Sequence, residues 1–259
     1  MLDGRDITHY TEKQMKDVRG AEISMIFQDP LTSLNPTMTV GKQITEMLML
    51  HKPGMTPAQR RARAIELLDM VGIPNPAERI DQYPHQFSGG MRQRVMISIA
   101  LACEPKILIA DEPTTALDVT IQAQILDLMK ALQKKINTSI IIITHNLGVV
   151  ASVADRVLVM YGGKFAEVGD LDEVFYDMKH PYTKGLMDSI PNMQSRDQEL
   201  YSIPGSPPDL MKPPAGCPFA PRCSRCLKVC KAYPPATVSF TDTHKATCWL
   251  YDERAKGAR

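Results

Sequence analysis

Two adjacent carboxylates, Asp111 and Glu112, stand at the end of the apolar run Ile107-Leu108-Ile109-Ala110. In an open α/β sheet, ligands bind at the carboxyl ends of the strands. One carboxylate there can hold Mg²⁺ while the next orients or deprotonates a water, which suits phosphoanhydride hydrolysis. Taken alone, the pair reads equally well as two solvated loop acids. A second apolar run, Ile140-Ile141-Ile142-Ile143, ends in Thr144-His145 and brings a histidine to the same edge. Its ring can hydrogen-bond a terminal phosphate or an attacking water. A lone strand-end histidine is more often structural, and its company with Asp111 and Glu112 makes it a candidate. Ser88-Gly89-Gly90 opens a helical pattern, where free N–H groups and the positive dipole end can face a phosphate. By itself that triplet reads better as a turn with Ser88 as N-cap.

The elements that must position these groups follow from pattern. Glu22 to Phe27 reads as a strand, broken by the turn-rich segment Asp29 to Pro36. Val40 to Leu50 and Pro57 to Val71 carry apolar residues at helical spacing, with Arg60, Arg61 and Arg63 expected on a solvated face. A helix opened by Ser88 runs to about Cys103, and another spans Thr120 to Ile136 with Asp118 as its expected N-cap. Near-continuous apolar strands separated by helices predict a parallel sheet covered on both faces. Arg156 to Val168, with Gly162-Gly163 in its middle, predicts a hairpin. From Pro191 onward, prolines and five of the six cysteines predict a loop-rich appendage.

With 259 residues, the chain is long enough for one domain, or one domain with an appendage. Lys+Arg 30 against Asp+Glu 29 leaves a net charge of +1, without the basic excess that nucleic acid or an anionic membrane selects. The run Ile140 to Ile143 is far shorter than the roughly 18 residues that span a bilayer.

Phe27-Gln28-Asp29-Pro30, Phe87-Ser88-Gly89-Gly90-Met91-Arg92-Gln93-Arg94, Ile107 to Thr114, Ala116-Leu117-Asp118 and Thr144-His145 resemble, in order and spacing, the ATP-binding cassette (ABC) transporter ATPases. The resemblance implies an α/β P-loop NTPase fold with a helical subdomain over about residues 38–104. It implies Gln28 as the Q-loop residue linking nucleotide state to membrane subunits. Ser88, Gly89, Gly90 and Gln93 fall in the signature segment that meets a partner's ATP. Asp111 is implied in Mg²⁺ coordination, Glu112 as the catalytic carboxylate, Asp118 in the dimer-facing loop and His145 as the switch histidine. Met91 stands where glutamine is commoner, and the helix N-terminus is unchanged by it.

A complete cassette also needs the P-loop G-x-x-x-x-G-K-[ST], whose amides and lysine hold the phosphates. No such segment occurs in these residues, and Gly41-Lys42-Gln43 and Gly163-Lys164-Phe165 lack the hydroxyl. Leu2 to Asp6 resembles a segment well downstream of the P-loop, so residues 1–170 read as an ABC ATPase domain without its P-loop portion. Weak ATP binding by this chain alone and exposed apolar sheet surface are expected.

Cys217, Cys223, Cys226, Cys230 and Cys248 crowd the tail. Without a secretion signal, clustered cysteines favour metal ligation over disulfides, and both zinc and an iron–sulfur cluster accept four thiolates. An inert cysteine-rich loop is the alternative. The tail, with His180 to Leu186, Ser189-Ile190-Pro191 and Ile203-Pro204-Gly205, resembles the C-terminal extension of dipeptide and oligopeptide importer ATPases, here residues 171–259. That resemblance implies a 4Fe–4S cluster on Cys217, Cys223, Cys230 and Cys248, with Cys226 an extra thiol where a small apolar residue is usual. Cys103 is expected to be a buried core thiol.

The function expected is ATP hydrolysis driving peptide uptake, using ATP and Mg²⁺, at the cytoplasmic face of the membrane. The implied partners are a second ATPase subunit in a head-to-tail dimer, two permeases and an external binding protein. The alternatives are a non-catalytic cassette that binds a partner ATPase, or an importer of nickel or another small solute.

Overall fold

A computed structural model describes residues 1–115, 117–190 and 201–255. Ala116 and Pro191, which the sequence reading invoked, lie outside them. The chain divides into two compact units, Met1–Val149 and Val150–Arg259.

In the first unit, α1 (Glu12–Val18) starts at a capping box on Thr11 and leads to β1 (Ile23–Ile26). The segment expected to be turn-rich contains one short helix, α2 (Pro30–Ser33), because Asp29 caps it and Pro30 supplies a preset first turn. The helical subdomain is α3 (Val40–His51), α4 (Pro57–Met70), α5 (Pro76–Arg79) and α6 (Gly89–Ala100). Ile44, Leu48, Leu67, Leu68 and Ile97 fill one core among these helices. Strand β2 (Ile107–Asp111), helix α7 (Val119–Ile136) and strand β3 (Ser139–Ile143) follow, then α8 (Leu147–Val153) at the boundary of the units.

The sheet has the order β1-β2-β3, all parallel, with Ile26 beside Ala110 and Ala110 beside Ile142. Among the described residues, one of its faces is sealed and the other is partly open. Ile26, Leu108 and Ala110 join the helical core, whereas Met25, Ile141 and Ile143 on the other face are 37%, 51% and 48% exposed. This corrects the expectation of a sheet covered on both sides, since α3, α4, α6 and α7 share one core with the first face. The apolar sheet surface expected to be exposed is exposed. The basic run on α4 also differs from a purely solvated face. Arg61 grips Asp81 through two hydrogen bonds of 2.8 and 2.7 Å, and Arg63 pairs with Glu66 and Glu104.

Gly41 sets how closely α3 approaches the end of α5. Its N–H donates to the Ile80 carbonyl at 2.8 Å, and a Cβ there would lie 2.8 Å from that oxygen and 2.4 Å from Ile80 Cγ1. Gly41→Ala is therefore expected to destabilise the first unit by about 1–3 kcal/mol, because the nearest obstacle includes backbone. Urea denaturation checks this, and an unchanged midpoint would show that the contact relaxes freely.

The second unit is built on an antiparallel sheet of order β4-β5-β7-β6. Strands β4 (Arg156–Tyr161) and β5 (Lys164–Asp170) form the hairpin that the sequence anticipates, turning at Gly162 and Gly163 with φ of 56° and 72°. Helices α9 (Leu171–Tyr176), α10 (Pro181–Asp188) and α11 (Lys228–Ala232) precede β6 (Thr237–Ser239) and β7 (Lys245–Thr247). Because β5 pairs with β7, the hairpin belongs to the tail's unit rather than to the cassette part, and the tail has a sheet of its own.

Candidate functional site

Three parallel strands bring three side chains to one sheet edge. Gln28 follows β1, Glu112 follows β2 and His145 follows β3, and the Glu112 N–H donates to the Ile143 carbonyl at 2.9 Å. Glu112 is the hub of the group. Its Oε2 accepts from Gln28 Nε2 and from Thr115 Oγ1, both at 2.8 Å, and its Oε1 lies 2.9 Å from His145 Nδ1. A carboxylate only accepts, so Nδ1 carries the proton and donates it to Glu112. The His145 side chain is largely exposed.

The hydrogen bond to His145, followed by that from Thr115, holds the Glu112 carboxyl below its ordinary value. It is thus ionised across the neutral range and able to orient or take a proton from water. Its backbone is in the left-handed region, φ 44°, which a non-glycine residue adopts at a cost and which is frequent at functional sites. Strand-end pattern pointed to Glu112 and His145 and the family resemblance to Gln28, but Thr115 was missed, whose signal was a hydroxyl three residues past the carboxylate. Asp111 ends β2, half-buried, and its carboxylate has no hydrogen bond or ion pair among the described residues.

Ser88 caps α6 by accepting from the Met91 N–H, and Asp118 caps α7 by accepting from the Ile121 N–H at 2.9 Å. The two caps belong to packed helices. A Cβ at Gly90 would lie 2.9 Å from Ile121 Cγ2, so glycine is what allows the start of α6 to sit on the start of α7. Gly89 faces open space. Gln93 departs from the expected arrangement, since it is only 1% exposed and its Nε2 is buried without a partner. Its side chain is not presented at the helix start with Ser88 and Gly89.

In the second unit, Cys217, Cys223, Cys226, Cys230 and Cys248 gather in one region, and all are free thiols. The Leu227 N–H points at Cys230 Sγ at 3.4 Å, and backbone N–H groups also reach the sulfurs of Cys217, Cys223 and Cys248. Burial raises the thiols of Cys217, Cys223, Cys230 and Cys248 above their ordinary value, Cys248 to about 12. Gly216 lets its loop pass against Cys230, where a Cβ would come within 2.1 Å of the carbonyl oxygen. Among the described residues, no group of three or more His, Cys, Asp or Glu side chains stands as a single-ion site. Cys103 lies apart from them in the first unit's core, as expected.

His180 caps α10, its Nδ1 accepting from the Tyr182 N–H at 3.0 Å. Burial pushes its pKa down to about 4, against a smaller opposing pull from Glu167. The unfolded chain therefore binds more protons than the folded one between about pH 6.5 and 4. Stability falls as pH falls through that window, by up to about 3 kcal/mol in all. Thermal unfolding of His180→Asn is expected to lose this part of the slope, and an unaltered slope would refute the assignment.

Similarity to known proteins agrees with both halves of this picture. Residues 1–115 match the family model for the ABC transporter, and residues 166–230 match that for the oligopeptide/dipeptide transporter, C-terminal region. The dipeptide transport ATP-binding protein DppD of Bacillus subtilis is 56% identical over 259 residues, covering 100% of this chain and 77% of the relative. The oligopeptide transport ATP-binding protein OppD of the same organism is 59% identical over 251 residues, 96% of this chain and 70% of its own length. Among solved structures, the dimeric, post-hydrolysis ATP-binding cassette MJ0796 with ADP and Pi matches at TM-score 0.58 and 28% identity, over 66% of this chain and 72% of that one. CbiO1 from Clostridium perfringens, part of the transporter complex cbiONQ, matches at TM-score 0.60 and 31% identity, over 69% and 68%. The chain belongs to the ABC transporter ATPases of the oligopeptide and dipeptide importer family.

Proposed function

We propose that this chain supplies the hydrolytic carboxylate, the switch histidine and the signature helix of an ATPase that energises uptake of short peptides. The observation that carries the reading is the Gln28, Thr115 and His145 arrangement around one strained, ionised carboxylate at the carboxyl edge of a parallel sheet. Bound Mg²⁺ neutralises phosphate charge in such chemistry, and Asp111, whose carboxylate is otherwise unengaged, is the residue to hold it. Glu112 orients the water and accepts its proton. His145 positions Glu112 through Nδ1 and offers Nε2 to a polar group beyond it, while Gln28 donates to the same carboxylate from β1. Peptide as substrate is supported by the relatives' names and a second ATPase subunit by the dimeric cassette, and the proposal adds two permeases and an external binding protein as the remaining partners. No helix among the described residues is long and apolar enough to cross a membrane, so attachment at the cytoplasmic face is proposed to run through those permeases.

These 259 residues contain no G-x-x-x-x-G-K-[ST] segment. A second reading has the chain lend Ser88 to Gly90 to a partner's nucleotide, supported by Ser88 and Gly89 standing exposed at the start of α6. Fluorescent ATP titration separates the two. Binding and turnover appearing only when a P-loop segment is joined upstream supports the hydrolytic reading. Stimulation of a complete partner cassette by the unextended chain supports the second. Micromolar ATP affinity of the unextended chain would refute the need for that segment.

We also propose Cys217, Cys223, Cys230 and Cys248 as the ligand set of a 4Fe–4S cluster. Support comes from the N–H groups aimed at their sulfurs, which favour thiolates. Anaerobic purification with iron, sulfide and zinc analysis decides, and none at stoichiometry returns the cysteines to a packing role.

A further inference from the structure

A cavity of about 260 Å³ opens in the second unit, lined by none of the groups discussed for ATP chemistry and with Tyr161, Phe165, Pro218 and Phe219 among its walls. We propose that it binds a small aromatic carboxylate, the ring held between these walls and the acid on Lys164, which also lines the cavity. Four observations point there. First, the walls are rigidly backed: Phe219 meets Tyr161 edge to face at 5.1 Å, and Tyr182 packs on both rings at 4.6 and 5.3 Å. Arg222 lies over Tyr161 at 6.0 Å and donates to its hydroxyl at 3.2 Å. A ring entering such a site loses little to reorganisation.

Second, the electrostatics have one sign. No Asp or Glu lines the cavity, and Lys164 has no hydrogen-bond or ion-pair partner for its ammonium among the described residues. Third, the remaining polar wall groups are neutral in the chain without a cluster: Thr237 and Thr247 hydrogen-bond each other at 3.1 Å, His180 takes the Tyr182 N–H on Nδ1, which leaves its proton on Nε2, and burial keeps Cys217, which also lines the cavity, as a thiol. A neutral ligand would leave the cation unused, and a cationic one would be repelled. Fourth, the volume is that of about nine waters at roughly 30 Å³ each, room for one ring and a short acid chain rather than a larger ligand.

Titration of the full chain with 3-phenylpropionate and its isosteric amide, followed by saturation-transfer NMR and calorimetry, tests this. Saturable binding is expected, with the acid bound about tenfold or more tightly than the amide. Lys164→Met is expected to bring the acid to the amide's affinity, while Lys212→Met, an exposed lysine outside the cavity, keeps the preference. Absence of saturable binding, equal affinity of acid and amide for the unaltered chain, or a preference that survives Lys164→Met would each overturn the proposal. Because no probe contains phosphate, the outcome is separate from that of the ATP experiments.

Discussion

Glu112→Gln, made in a form of the chain that carries a P-loop upstream, is expected to lower ATP turnover by about two to four orders of magnitude while ATP affinity stays within a few fold. Glutamine keeps the volume and the same left-handed backbone cost, so the sheet edge is preserved. What it loses is the charge. The amide cannot take a proton from water, and one of its two ends is a donor facing donors already supplied by Gln28, Thr115 and His145. Single-turnover measurement places the loss in the chemical step rather than in product release. Undiminished hydrolysis would show that another group is the base.

The second large effect is expected in the other unit. Glu167 and His244 are both fully buried, with His244 Nε2 2.7 Å from Glu167 Oε1. The same carboxylate accepts the backbone N–H groups of Lys179 at 2.7 Å and His180 at 2.9 Å. Three donors from two further segments thus converge on one side chain of β5. Glu167→Ala would strand all three in a place water does not reach, and the expected loss is about 3–5 kcal/mol. Glu167→Gln, which keeps an acceptor oxygen, should cost less. Hydrogen exchange with fragment resolution checks this, because the loss should appear in peptides from 150–255 and spare those of 23–143. Equal protection of both variants and the parent chain would mean that the pair contributes nothing net.

The sheet edge was legible because its chemistry is local in sequence: an apolar run followed at once by Asp111-Glu112, and another by Thr144-His145. Caps were legible for the same reason, and Ser88 and Asp118 act as their types predict. Legibility stopped where a partner lies far along the chain. Nothing near Glu167 announces His244, and nothing near Arg63 announces Glu104. Gln93 sits beside surface-facing signature residues in sequence, yet helix rotation carries it inward, so adjacency in a motif did not mean adjacency at a surface. The open sheet face escaped pattern reading because apolar alternation tells which residues prefer burial and not whether a covering layer is at hand.

The long reach from β5 to β7 also has a consequence in time. The residues of the Glu167–His244 pair are 77 positions apart, and at about 5–20 residues per second a ribosome needs roughly 4–15 s to make the stretch between them. During that interval the edge of β5 that β7 covers is without its partner, and the carboxylate is without its imidazole. Nascent chains stalled or cleaved before Lys245 would hold that edge open indefinitely, a template on which neighbouring copies can add strands. Full pairing of this sheet therefore waits for Lys245 to Thr247, made long after Glu112 and His145.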